Sequence, residues 1–166
     1  MATAIFYASS TGNTEYVAKL IAKELSDIKL IDIATEGVSS MKEYDKLILG
    51  IPTWGDGELS DEWEDNWEEF KKIDFTGKTV ALFGLGDQEG YDENYLDAMG
   101  IVYEHLIEQD VTFVGQWEIT DEYSYEASRA VVDDMFVGLA LDEDNQDDLT
   151  QERVTKWCGM ISESIL

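Results

Sequence analysis

Three short segments concentrate residue types that grip an anion and a flat ring. Ser9-Ser10-Thr11-Gly12-Asn13-Thr14 lies between an apolar run and a helical pattern. A phosphate suits such a strand-to-helix turn, because free backbone N–H groups and the helix dipole both point at it. The hydroxyls of Ser9, Ser10, Thr11 and Thr14 add donors, and Gly12 permits a close approach. The loop has no Lys or Arg. It lacks the GxxxxGK[ST] spacing of nucleoside triphosphatases, and it has one glycine where a dinucleotide fingerprint needs three. An ordinary capped turn uses the same residue types. The second segment, Pro52-Thr53-Trp54-Gly55-Asp56-Gly57-Glu58-Leu59, sets Trp54 in a glycine-containing loop. The third, Gly84-Leu85-Gly86-Asp87-Gln88-Glu89-Gly90-Tyr91, offers a second aromatic side chain and a carboxylate. Either aromatic alone is as readily a packing residue. From separate loops, the two can sandwich a flat ring by offset stacking. Together the segments point to one ligand, a heteroaromatic ring that carries a phosphate.

Positioning these segments requires a scaffold that brings three distant loops to one end. Ala2–Ala8, Lys29–Ile33, Lys46–Ile51, Thr79–Gly84 and Val111–Trp117 are short apolar runs fit for buried strands, the third stopping at Pro52. Helical spacing of apolar residues follows the first loop at Tyr16, Val17, Leu20, Ile21 and Leu25. It recurs over Ser60–Ile73, Asn94–Gln109 and Thr150–Ile165, with Thr150 as a cap. Strands alternating with helices predict βαβ units and a parallel sheet covered on both faces. Five strands predict a doubly wound α/β fold of order 2-1-3-4-5 in a single domain over residues 1–166. In such sheets ligands bind beyond the carboxyl ends of the strands, where the strand order reverses. The loops after strands one, three and four are therefore the candidates. Glu118–Val137 interrupts the alternation as an insertion beside the fifth strand, and Asp142–Asp148 is acidic and expected to be solvated.

The formal net charge of −26 on 166 residues disfavours nucleic acid and anionic membranes and favours basic protein partners. The lone Cys158 excludes an internal disulfide and a cysteine-held cluster, and its helical pattern makes it a buried thiol. No apolar run of about 18 residues exists to cross a membrane. Without a secretory signal pattern, the expected location is the cytoplasm. His105, the only histidine, falls mid-helix as a partly exposed residue, so hydrolytic triads lack support. A phosphoacceptor domain shares the strand order but needs acidic residues after strand one and an Asp ending strand three. Those places hold Ser9-Ser10-Thr11 and Pro52-Thr53.

The loop SSTGNT resembles the TxTGxT phosphate loop of flavodoxins, and PTWGDGEL and GLGDQEGY resemble that family's two flavin-flanking loops, in the same order. FVGLALDEDNQDDLT, residues 136–150, is similar to the end of long-chain flavodoxins, whose extra loop splits the last strand. The strand order 2-1-3-4-5 is one for which flavodoxins are themselves the usual example. The resemblance spans essentially the whole chain and implies a low-potential one-electron carrier with non-covalent FMN. It implies that Ser9, Thr11, Asn13 and Thr14, with the amides of Ser10 and Gly12, hold the phosphate. Trp54 and Tyr91 would stack on the two ring faces, framed by Pro52, Thr53, Gly57, Gly84, Leu85 and Gly86. The Gly55–Asp56 peptide would face flavin N5, Asp87 and Asn94 the ring edge, and Asp144 the ribityl chain. Ser9 replaces the usual first Thr, and Leu85 stands where Thr is frequent. Implied partners are basic redox proteins such as ferredoxin-NADP reductase, pyruvate oxidoreductase or a nitrogenase reductase-type acceptor, met by a monomer. The alternative on the same fold is an FMN-dependent quinone or nitro-compound reductase. The last electron leaves the flavin anionic. One carboxylate ~12 Å away at an effective dielectric of ~40 costs that anion roughly 0.7 kcal/mol. That is about 30 mV per charge for one electron.

Overall fold

The computed structural model describes residues 3–9 and 11–166. Strand β1 (Thr3–Tyr7) lies in parallel between β2 (Lys29–Asp32) and β3 (Lys46–Trp54), and β3 pairs in turn with β5 (Thr79–Leu85). The fifth position is shared by two short strands. β6 (Thr112–Val114) pairs with Thr79–Ala81, and β10 (Leu139–Leu141) pairs with Phe83–Leu85. The expected order 2-1-3-4-5 is therefore observed, with the last strand in two pieces. Ala4–Phe6, Leu47–Leu49 and Val80–Phe83 are all fully buried. That is why these strands are unbroken apolar runs: a parallel sheet is covered on both faces.

Helix α1 (Asn13–Glu24) packs beside α5 (Thr150–Ile165). A short helix α2 (Ile33–Glu36) follows β2. The other pair is α3 (Asp61–Lys71) and α4 (Asp97–Leu106), joined where the His105 ring meets Trp67 and Phe70, with centroids 5.8 and 5.7 Å away. Trp63 of α3 is fully buried and donates from Nε1 to the Gly50 carbonyl at 3.1 Å, which fixes the helix over β3.

The split of the fifth strand has a local cause at each end. Gly115, at φ +85°, leaves β6 where a Cβ would come within 2.6 Å of Trp157 Nε1. At Gly138, where the chain returns, a Cβ would run into the Leu82 carbonyl. Only glycine lets the backbone rejoin β5 that closely. Between them the insertion forms its own antiparallel sheet of β7 (Trp117–Glu118), β9 (Met135–Phe136) and β8 (Val131–Val132). Tyr123 donates from its hydroxyl to the Ala140 carbonyl at 2.6 Å and receives Trp117 Nε1 at 2.8 Å. The Arg153 guanidinium lies 4.4 Å over the Tyr123 ring.

Several boundaries differ from the sequence expectation. The third strand runs through Pro52 to Trp54, because β1 ends opposite Gly50 and the missing proline N–H costs the sheet nothing on that side. It then turns back into β4 (Glu58–Leu59), which pairs with its last two residues. The third expected helix starts at Asp97, not Asn94. Before it, Tyr95 is buried and anchored by its hydroxyl on the Leu141 carbonyl at 3.1 Å, and Leu96 is left-handed at φ +59°. The fifth expected strand ends at Val114, and Trp117 belongs to the insertion. Thr150 is the first helical residue of α5, and Leu149 flanks it. The acidic stretch is not simply solvated: Asp142 is fully buried. Cys158 is buried as expected, and among the described residues no helix is long and apolar enough to cross a membrane.

Candidate functional site

The three loops converge beyond the carboxyl ends of β1, β3 and β5, around a cleft of about 420 Å³. Its walls are Thr11, Asn13 and Thr14 from the first loop, and Pro52, Thr53, Trp54 and Gly55 from the second. Leu85, Gly86, Asp87 and Tyr91 come from the third, and Glu143 and Asp144 from the segment after β10. Trp54 and Tyr91 are 43% and 46% exposed, unusual for large aromatic side chains at the mouth of a cleft. A flat ligand between them would cover both.

The first loop is organised by Ser9. Its Oγ accepts from Gly12 N at 3.0 Å and Glu15 N at 3.2 Å, which caps the start of α1 from outside the helix. Gly12 sits at φ +97°, and a Cβ there would meet nothing within 4 Å. Its glycine is thus required by backbone angle, not by space. Thr11 and Asn13 remain exposed toward the cleft while Thr14 is buried. Ser10 lies outside the described residues.

The second loop is held from below by α4. Thr53 Oγ1 accepts from Ala98 N at 3.1 Å, which satisfies one free amide of the helix start. Gly57, at φ +90°, packs against the buried Asp97, where a Cβ would come within 2.7 Å of Oδ2. Asp97 also accepts from Asn94 Nδ2 at 3.0 Å and from Arg129 N at 2.7 Å, tying the insertion to this loop. Gly55 takes a positive φ of +50°, and Asp56 does not. Asn94 therefore serves the Asp97 network and does not line the cleft. Ser9, Gly12, Asp56, Gly57 and the buried Gly84 stand behind or beside the wall.

Asp142 joins the third loop to the segment after β10. Its Oδ2 accepts from Gln88 N at 3.1 Å, Gln88 Nε2 at 2.9 Å and Asn145 Nδ2 at 2.8 Å. Its Oδ1 accepts from Asp144 N at 3.1 Å and Asn145 N at 3.0 Å. Gln88 passes the link to the insertion by accepting from Ser124 N at 2.6 Å. Partial burial alone would raise the Asp87 carboxyl. Hydrogen bonds from Gly90 N, Asn145 Nδ2 and Glu89 N instead hold it below the ordinary carboxylate value. The opposite holds next door. Burial raises Asp144, helped by the charges of Asp87 and Asp142. Glu143, a wall residue that loop reasoning missed, is also raised, first by burial. Its only sequence signal was its place beside Asp144.

A sequence model of the flavodoxin family matches residues 5–157. The chain belongs to the flavodoxin family. Flavodoxin 1 of Escherichia coli K12 is 48% identical over 166 residues, covering 98% of this chain and 94% of that relative. The flavodoxin of Synechocystis sp. is 46% identical over 160 residues, covering 95% and 94%. Among solved structures, Fusobacterium nucleatum flavodoxin bound to flavin mononucleotide superposes with a TM-score of 0.92 at 33% identity, over 99% of each chain. Flavodoxins are electron-transfer proteins.

Proposed function

We propose that the cleft binds one FMN non-covalently and that the chain is a low-potential one-electron carrier between larger redox proteins. The observation that carries this reading is the pairing of two exposed rings with a cation-free, amide- and hydroxyl-rich loop across one cleft. Bound FMN supplies the redox chemistry, accepting and releasing electrons one at a time. Thr11, Asn13 and Thr14, with the amides at the start of α1, hold the phosphate by hydrogen bonds and helix dipole. Trp54 and Tyr91 stack on the ring and keep water from it. Gly55 presents its flanking peptide to the ring edge, the Asp87 loop offers backbone donors, and Asp144 faces the ribityl chain. Asp87, Glu143 and Asp144 oppose further negative charge in the cleft, which lowers the potential of the second electron.

The redox partners are basic proteins of the ferredoxin-NADP reductase or pyruvate oxidoreductase kind, met in the cytoplasm by a monomer whose charge of −26 opposes self-association. The purified protein should be yellow and release FMN, not FAD, on denaturation. A colourless protein that ignores added FMN refutes the reading. NADPH mixed with the holoprotein alone should reduce it negligibly, whereas fast reduction would favour an FMN-dependent reductase.

A further inference from the structure

Among the residues that line the cleft there is no lysine, arginine or histidine, yet three carboxylates share it with the phosphate loop: Asp87, Glu143 and Asp144. They differ in what holds their charge. Asp87 is fixed by donors at 2.7, 2.8 and 3.1 Å from Gly90 N, Asn145 Nδ2 and Glu89 N. Asp144 is exposed, so burial penalises its charge less than that of Glu143. Glu143 is half-buried, and its buried Oε1 has no hydrogen-bond partner. The groups that face it are Asp142 and Asp144 from its own segment, Asp147 from the following turn and the Thr150 hydroxyl at the start of α5. None is basic. Burial disfavours its charge most, the Thr150 hydroxyl offsets only part, and the three aspartates add to the penalty. A phosphate dianion entering this cleft adds negative charge where Glu143 has the least compensation.

Resting on the FMN reading above, we propose that Glu143 is the group that takes up a proton when the cofactor binds, so that FMN association is proton-coupled. One proton passes from hydronium or a buffer acid to a carboxylate oxygen of Glu143: the donor's bond to the proton breaks, leaving water or the conjugate base, and an O–H bond forms on Glu143. Because the bound state holds more protons than the free state, affinity rises as pH falls through the window between the two protonation midpoints of Glu143. The FMN phosphate contributes the opposite sign below about pH 6, where its second proton must leave. That contribution is common to every variant and cancels in a difference.

The test is isothermal titration of apoprotein with FMN in buffers of different ionisation enthalpy, from about pH 5 to 8, for wild type, Glu143→Gln and Asp144→Asn. The wild-type proton uptake minus that of Glu143→Gln should be positive, whereas Asp144→Asn, which relieves only part of the penalty on Glu143, should lower the uptake without abolishing it. The wild-type affinity relative to Glu143→Gln should change by up to tenfold per pH unit inside the window. A difference of zero at every pH overturns the assignment, and so does loss of uptake in both variants. As a second measurement, 13C NMR of glutamate carboxyls in wild-type protein should show one resonance moving to the protonated position on adding FMN. Its absence would also overturn the proposal. Failure of wild type to bind FMN at all would instead refute the cofactor reading.

Discussion

Replacing Asp142 with Asn should loosen two walls of the cleft at once. The side chain is fully buried and accepts from five donors, three on Oδ2 and two on Oδ1. An amide of the same shape keeps one oxygen. The better rotamer keeps Oδ2 facing Gln88 and Asn145 Nδ2, and turns an NH2 toward the backbone N–H groups of Asp144 and Asn145. Two hydrogen bonds to a charged acceptor are lost at about 1.5–3 kcal/mol each, and the other three weaken toward neutral strength. Against this, removing one negative charge relieves Glu143 and Asp144, which both feel Asp142. At ~6 Å and an effective dielectric of ~40 that relief is roughly 1.4 kcal/mol per neighbour. The hydrogen-bond loss wins, for a net destabilisation of about 2–4 kcal/mol. In a chain of this length that lowers the melting temperature of the apoprotein by about 5–15 °C. The assay is urea and thermal unfolding of the apoprotein at neutral pH, beside an FMN titration that should show weaker binding. A loss below about 1 kcal/mol with unchanged FMN affinity would refute the view that this carboxylate holds the cleft together.

Gly12→Ala should destabilise the apoprotein by about 1–2 kcal/mol, the backbone penalty at φ +97° with no steric clash added, and urea unfolding would measure it. Tyr123→Phe strips the Ala140 carbonyl and Trp117 Nε1 of their partner. It should cost about 1–3 kcal/mol and raise hydrogen exchange in the insertion, with FMN affinity within about twofold. His105 is lowered by burial, only partly countered by Glu108. Its neutral form is the one the fold favours, so its contribution is full above about pH 6.5 and is lost as pH falls through the lowered folded value. An NMR titration midpoint at or above about 6.5 would contradict this, and His105→Phe should flatten that part of the acid-side loss. Encounter rates with a basic reductase should fall steeply with salt; rates flat up to about 0.5 M would contradict electrostatic steering, because the Debye length shrinks to a few ångströms over that range.

The parts of the site legible in the sequence were those whose signal is local. Ser9–Thr14 lies between a strand period and a helix period, and Trp54 and Tyr91 stand among glycines. What stayed hidden depends on partners far along the chain. Asp142 looks like one member of a hydrated acidic run, and two of the five hydrogen bonds that compensate its burial come from Gln88, 54 residues away. Asn94 has the residue type for a ring edge, but its amide is taken by Asp97. Pro52 looks like a strand end because its neighbours do not reveal where β1 stops. Periodicity placed the helix pattern at Asn94, and tertiary anchoring of Tyr95 moved its start to Asp97.

The charge layout follows from the same topology and bears on how a partner meets the cleft. In a βαβ fold the helices start at the cleft end and finish at the far end, so residues late in a helix or early in a strand lie away from the cleft. Seven of the nine lysines sit there: Lys19 and Lys23 in the second half of α1, Lys71 and Lys72 at the end of α3, Lys29 and Lys46 at the starts of β2 and β3, and Lys78 just before β5. Arg129 is paired with Glu104 at 2.6 Å and Arg153 with Glu122 at 3.4 Å, both held by the insertion. The first turn of α3 carries Asp61, Glu62 and Glu64, and the cleft wall adds Asp87, Glu143 and Asp144. The cleft end is thus rich in carboxylates and poor in lysine, whereas lysines and carboxylates are mixed at the far end. A basic partner would meet less repulsion at the cleft end than at the lysine-bearing one, and contact there would cover the exposed edges of Trp54 and Tyr91. Net charge alone would bring the two proteins together in any orientation; the position of the lysines, away from the cleft, is what would favour the one in which the cleft faces the partner.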